Sequence, residues 1–411
     1  MTARPEPPRM RQPPFAFLSP AILAATLGMA GPRAATSGTA ELDRAAAALH
    51  RRAETISPGT DQARALSRDF SDLGRTCLEK GESGRAVELL EEAYSWDEEN
   101  GLALAELTLA NIRLDNFVAA RFYLSLAQDR TPEAPATIYR TLGEAYEGLH
   151  RLEDAVDAWE EFVQLGGDDP AILRRLAKAR AEMTLTPGQR FLEKDNFSLF
   201  YDQEIPQETA EEALSSLGEA YRLQSAFLRT ELPGTQPVIL YAGRAYFGLS
   251  SVPDWASGVF DGKIRVSVEP EKRARSELSG VLAHELAHAM IRRASHDRAP
   301  GWLHEGLAQW LEGRRIPRSE FRRLFSGGRH AESLTQLEAR FHRASDVFAA
   351  RAHYAQSLGL VEFLVQERGE EAVRCVIDDL AAGASLEQSL RRETQLSEAE
   401  VVSHFRSWAG L

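Results

Sequence analysis

The chain has 411 residues, 43% of them hydrophobic and 27% charged, with a formal net charge of −13. This length allows two or three domains with separate cores, and the composition is that of a soluble globular protein. The acidic balance argues against a nucleic-acid partner, because a phosphate backbone is held by Lys and Arg in excess. Cys77 and Cys375 lie far apart and form no CxxC pair. That spacing argues against a disulfide framework or a cysteine zinc site and leaves two buried thiols.

Residues 1–30 differ from the rest. Arg4, Arg9 and Arg11 precede an apolar run from Phe15 to about Ala30, with Gly28 and Ala30 offering a small-x-small cleavage site. That order is expected of a secretory signal. The rival reading is a membrane anchor, although the run is shorter than the ~20 residues a spanning helix needs and Pro20 interrupts it. No cysteine follows to carry a lipid. The expectation is export to a periplasmic or extracellular space, with membrane contact only through this segment if it is not cleaved. Residues 31–61 are expected to be a linker.

Residues 62–186 repeat. Ala86, Ala120 and Ala155 fall in one column at spacings of 34 and 35, Gly74 and Gly143 stand twelve residues before the first and third, and Ala93 and Ala127 seven after the first and second. Small residues recur where two helices approach closely. The pattern resembles the tetratricopeptide repeat, a pair of antiparallel helices per unit stacked into a solenoid. Thr108 stands where that repeat has Gly, and Phe162 where it has Ala. An ordinary helical bundle would share the periodicity but not the fixed repeat length. The resemblance implies a surface for a protein substrate or partner.

A second lobe begins near residue 188. Phe197, Leu199 and Tyr201 alternate with polar neighbours, as in a half-buried strand. Residues 207–229 return to helical spacing, "PVILYAG" reads as a buried strand, and "WASGVFDGKIRVSV" as a hairpin turning at Asp261-Gly262. An α+β lobe is therefore expected, with a small mixed sheet, active-site helices and a C-terminal helical region.

The lobe leads into "VLAHELAHAM", residues 281–290. On a helix, His284 and His288 lie about 40° apart and one turn apart in height, so both imidazoles reach one ion. Glu285 can accept a proton from water held on that ion. This is HExxH, a signature of zinc metallopeptidases. Val281, Leu282, Leu286, Met290 and Ile291 make the helix a buried one, where unpaired ionisable groups are costly and a bound cation removes the cost.

A catalytic zinc needs a third protein ligand. The metzincin pattern requires Gly three and His six residues after the second histidine; Ile291 and Ala294 stand there and exclude it. Sixteen residues separate His288 from Glu305 in "PGWLHEGLAQWLEG", and Gly306 would let this helix approach the first without a side chain between them. "HELAH" followed by "WLHEG" resembles the gluzincins, most closely the peptidase MA-like domains related to aminopeptidase N. The resemblance covers roughly residues 190–411 and implies Glu305 as the third ligand of one zinc per chain. Glu312, two turns further on, can accept the other ring N–H of a ligand histidine; in the resembled family that histidine is the first, here His284. Tyr354 sits where the family has an oxyanion-stabilising tyrosine, with core packing as its competitor. His304 and His296 read as local polar residues.

No Gly-x-Met-Glu-Asn segment, which holds a substrate's amino terminus in the aminopeptidases, is present. The expectation is a zinc-dependent endopeptidase with a helical array that recruits a protein. The alternative is a tetratricopeptide scaffold whose peptidase-like half binds zinc without turnover.

Overall fold

The computed structural model describes residues 37–114, 116–130, 136–232, 235–246, 258–268, 275–325, 330–341 and 347–411. The signal or anchor expected at residues 1–30 lies outside them. No helix among the described residues is long and apolar enough to cross a membrane.

The first half is helical: α1 (Ser37–Ala53), α2 (Asp61–Glu79), α3 (Ser83–Trp96), α4 (Gly101–Arg113), α5 (Phe117–Arg130), α6 (Ala136–Gly148), α7 (Leu152–Gln164) and α8 (Pro170–Leu185). Local chemistry starts several of these. Thr60 and Asn100 accept from the backbone N–H groups of Ala63 and Ala103, and Asp169 caps α8, with Pro170 in its first turn. Helices α2–α3, α4–α5 and α6–α7 pack as consecutive pairs. Ala86, Ala120 and Ala155 are fully buried. A Cβ at Gly74 would stand 2.6 Å from Leu90 Cγ, and one at Gly143 2.3 Å from the Trp159 indole nitrogen. Each glycine thus lets the two helices of its own pair close up. Residues 31–61 are not all linker, because α1 buries Leu42 and Ala46 in the same core as α2.

A five-stranded sheet follows, built from β1 (Arg190–Lys194), β2 (Phe197–Tyr201), β3 (Gln236–Ala242), β4 (Gly258–Phe260) and β5 (Ile264–Val268), in the order β1-β2-β3-β5-β4. Strands β2, β3 and β5 are parallel to one another, while β1 and β4 are antiparallel edges. Helix α9 (Gln207–Leu228) connects β2 to β3. The remaining helices are α10 (Arg275–Ala294), α11 (Gly301–Leu311), α12 (Arg318–Leu324), α13 (Leu334–Phe341), α14 (Val347–Arg368), α15 (Glu370–Ala381), α16 (Leu386–Thr394) and α17 (Glu398–Ala409).

Residue alternation divides the sheet into two faces. Leu199, Tyr201, Val238, Leu240, Ile264 and Val266 join one large core with α9, α10 and the C-terminal helices. The opposite face carries Phe200, Ile239, Tyr241 and Arg265, and it too is covered. Strand β2 is therefore not half-buried, since Ser198 as well as Leu199 is fully shielded. The covering layer is the helical array. Arg121 of α5 bonds Ser198 and Glu193, the His150 ring meets Phe200 edge-on at 4.8 Å, and Glu182 of α8 bonds Tyr241 and Arg265. From α10, Arg293 reaches Leu114 O just past α4. The two halves thus meet over β1, β2, β3 and β5.

Candidate metal and catalytic site

Helix α10 is fixed by its apolar side: Leu282, Leu286, Ala287, Met290 and Ile291 are essentially inaccessible. With that face committed to the core, His284 and His288 project together toward α11. Their rings lie 4.7 Å apart between centroids and nearly perpendicular. The nitrogens His284 Nε2 and His288 Nε2 are 3.1 Å apart. Glu305, from α11, places one carboxylate oxygen 3.4 Å from His284 Nε2 and the other 3.4 Å from His288 Nε2.

These separations bear on whether a metal fits. Tetrahedral ligands bound at 2.0–2.1 Å stand about 3.3 Å from one another, close to the spacings found. Two imidazole nitrogens and a carboxylate converge on one point at which Glu305 Oε2 is buried without a hydrogen-bond partner. Among the described residues this is the one group of His, Cys, Asp or Glu side chains placed to hold an ion. The donor set suits a zinc-like cation.

Electrostatics around the cluster are divided. Burial disfavours charge on both histidines, and it wins at His288, whose pKa falls to about 3. At His284 the carboxylates of Glu305 and Glu312 outweigh burial and push the pKa up to about 10. Glu305 is buried, yet the adjacent histidines hold it down to about 2. Glu285 is 6% exposed, and burial pushes its carboxyl up to about 8 despite the neighbouring His284.

Supporting residues surround this core. Glu312, capping the C-terminus of α11, puts Oε2 2.7 Å from His284 Nδ1. On α14, Tyr354 is largely buried, and after burial the charges of Glu305 and Glu285 act on its phenol, all raising its pKa. Gln309 ties the two helices together by donating to the backbone carbonyls of Glu305 and Tyr354. The sequence-predicted residues His284, Glu285, His288, Glu305, Glu312 and Tyr354 are thus brought to one place.

Three features of the site differ from the sequence reading or were missing from it. His304 is not a bystander: its ring stacks on His288 and its Nδ1 lies 2.8 Å from His288 Nδ1. Gly306 serves a different neighbour from the one expected, because its Cβ would stand 2.3 Å from Ser357 O on α14 rather than against α10. Gly258, in edge strand β4, lies directly over Glu285, and a Cβ there would sit 2.6 Å from Glu285 Oε1. Only His304 left a signal, in its place beside Glu305. The two glycine contacts join segments far apart in the chain; Gly306 signalled a close approach but not its partner, and Gly258 was not read at all.

A family model described as the Peptidase MA superfamily matches residues 238–408. The match spans the metal cluster, Glu312 and Tyr354, and supports a zincin-like peptidase domain in this part of the chain. The superfamily is typically zinc-dependent. No curated protein matches the chain.

Proposed function

We propose that the second half of the chain is a zinc-dependent peptidase of the gluzincin type, holding one zinc ion through His284, His288 and Glu305 and cleaving within peptides. The observation that carries this reading is the convergence of three donor atoms at tetrahedral spacing with Glu285 beside them. Zinc bound there would polarise a scissile carbonyl and acidify a water. Glu285 accepts the proton of the attacking water and passes it to the leaving amine. Tyr354 donates its phenol hydrogen to the oxyanion.

The supporting residues fix tautomers. To present a lone pair at Nε2, each ligand histidine must carry its proton on Nδ1. Glu312, with Oε2 2.7 Å from His284 Nδ1, is placed to receive that proton's hydrogen bond once the ring is oriented by a metal, and His304 accepts from His288 through its own unprotonated Nδ1. The substrate adds as a strand along the outer edge of β4, its backbone paired there, and Gly258 keeps that strand close to Glu285. Without a Gly-x-Met-Glu-Asn segment no glutamate is provided for a free amino terminus, which favours internal cleavage. The helical array, read as tetratricopeptide repeats, recruits the protein substrate or a separate partner. The N-terminal segment directs export or anchors the protein.

Two measurements test the proposal. Metal analysis of the purified chain should give about one zinc per molecule, with His288→Ala losing it. Glu285→Gln should retain zinc and lose nearly all hydrolysis of a peptide library, since the base is gone and the ligands remain. A metal-free parent would falsify the assignment. A zinc-loaded parent with no turnover would leave the scaffold reading instead.

A further inference from the structure

The helical array reaches the catalytic half through a cluster of buried charges that a mere tether would not need. Arg265, in β5, and Glu182, in α8, are each 2% exposed, and Arg265 Nη1 lies 2.7 Å from Glu182 Oε1. Tyr241 of β3 donates to the same oxygen at 2.6 Å, and Arg265 also bonds the Tyr241 hydroxyl. The Arg265 guanidinium stands 4.6 Å over the Tyr246 ring, which stacks on Tyr241 at 4.3 Å.

This cluster grips one particular element. Arg265 Nε donates to both carboxylate oxygens of Asp261, at the turn of the β4–β5 hairpin. Lys263, also buried, donates to Glu147 O near the C-terminal end of α6, a carbonyl that also accepts from the His150 N–H. In register, Arg265 pairs with Val259 and Val266 with Gly258. Side chains alternate across a strand, so Arg265 faces the array while Gly258 faces Glu285. The same hairpin is therefore held from behind by α6 and α8 and presents its front to the catalytic carboxylate.

We propose that the helical array positions the active-site edge strand, with Arg265 the positioning residue that transmits the grip of Glu182 to β4. The proposal rests on the peptidase reading for its consequence, since a fixed β4 sets where a substrate strand lies relative to Glu285. Buried ion pairs add little net stability, and the role proposed for this one is to fix the geometry of the elements it joins. Loosening the grip should weaken the binding of substrates long enough to lie along β4 while leaving the zinc ligands in place.

The test uses the zinc-loaded full chain and the variant Glu182→Gln, which keeps the shape and an acceptor for Tyr241 but removes the charge facing Arg265. Hydrogen exchange of the residue 258–268 amides should accelerate about tenfold, with α10 unchanged. KM for peptides of eight or more residues should rise about tenfold, with kcat and zinc content within about twofold and KM for a blocked dipeptide substrate unchanged. Lys263→Met should act in the same direction should Glu182→Gln not fold. Arg121→Ala removes a bond of the same interface at the far edge, on β1 and β2, and should leave the hairpin's exchange unaltered. Unchanged exchange at 258–268 in Glu182→Gln, equal acceleration in Arg121→Ala, or equal losses on long and short substrates would overturn the proposal. If the parent cleaves no peptide at all, the peptidase reading fails by itself, and the exchange comparison still decides whether the array holds the hairpin.

Discussion

Gly306→Ala is expected to destabilise the protein, although the same change in an open helix stabilises it. Alanine exceeds glycine in helix propensity by about 1 kcal/mol, which favours the substitution in α11. Against that, the new Cβ would lie 2.3 Å from Ser357 O and 2.8 Å from Ser357 C, where ordinary contact begins at 3.4 Å. The obstacle is backbone on α14, not the end of a flexible side chain, so the helices must separate by about 1 Å. Overpacking of this kind costs about 1–3 kcal/mol, and opening the layer also loses contacts of Leu307, Leu360 and Val361, all fully buried. The net expectation is a loss of up to about 2 kcal/mol. Urea unfolding of the zinc-free chain measures it, with Gly218→Ala as the control. Gly218 lies inside α9, and a Cβ added there would meet nothing within 4 Å, so that change should gain about 0.5–1 kcal/mol. A Gly306→Ala protein as stable as Gly218→Ala would refute the reasoning. Because Glu305 adjoins Gly306 and Tyr354 lies on α14, zinc affinity and turnover should fall as well.

Other consequences follow from the same geometry. Replacing His304 by Ala removes the acceptor for His288 Nδ1 and should weaken zinc binding by about 10–100-fold, as read by competition with a chromogenic chelator. Tyr354→Phe should keep zinc and fold yet lower kcat by about 100–1000-fold on a peptide substrate if the phenol serves the oxyanion. Burial pushes the Glu106 carboxyl up to about 7, against the opposing Arg75 charge and the Ser71 hydrogen bond. Between pH 4.5 and 7 the folded state then holds a proton that the unfolded chain has released, so this group's contribution falls as pH rises, by about 3 kcal/mol in all. Glu106→Gln should remove that slope from the difference between urea stabilities at pH 5 and pH 7.5. A chain of residues 188–411 alone would expose Arg265, Tyr241 and Ile239 on the covered face and should lose cooperative unfolding, as followed by calorimetry.

What the sequence determined by itself was mostly what a single helix or strand can carry. Two histidines four residues apart share a face whatever surrounds them, and Glu312 is two turns from Glu305 on the same helix, so the residues of the candidate site could be named from spacing and resemblance. The alanine columns at Ala86, Ala120 and Ala155 were legible for the same reason: a residue that must be small to admit a neighbouring helix recurs at each copy of that contact. What only the tertiary structure decided was which surfaces meet. Alternation through β5 and the residue before it puts Lys263 and Arg265 on one polar face, but a polar face turned to water and one buried beneath Glu182 and Glu147 have the same pattern. A glycine in a helix or at an edge strand likewise announces close approach without saying to what. Gly306 meets α14 and Gly258 meets Glu285 because the packing of distant segments brings them there, and spacing along the chain holds no record of that.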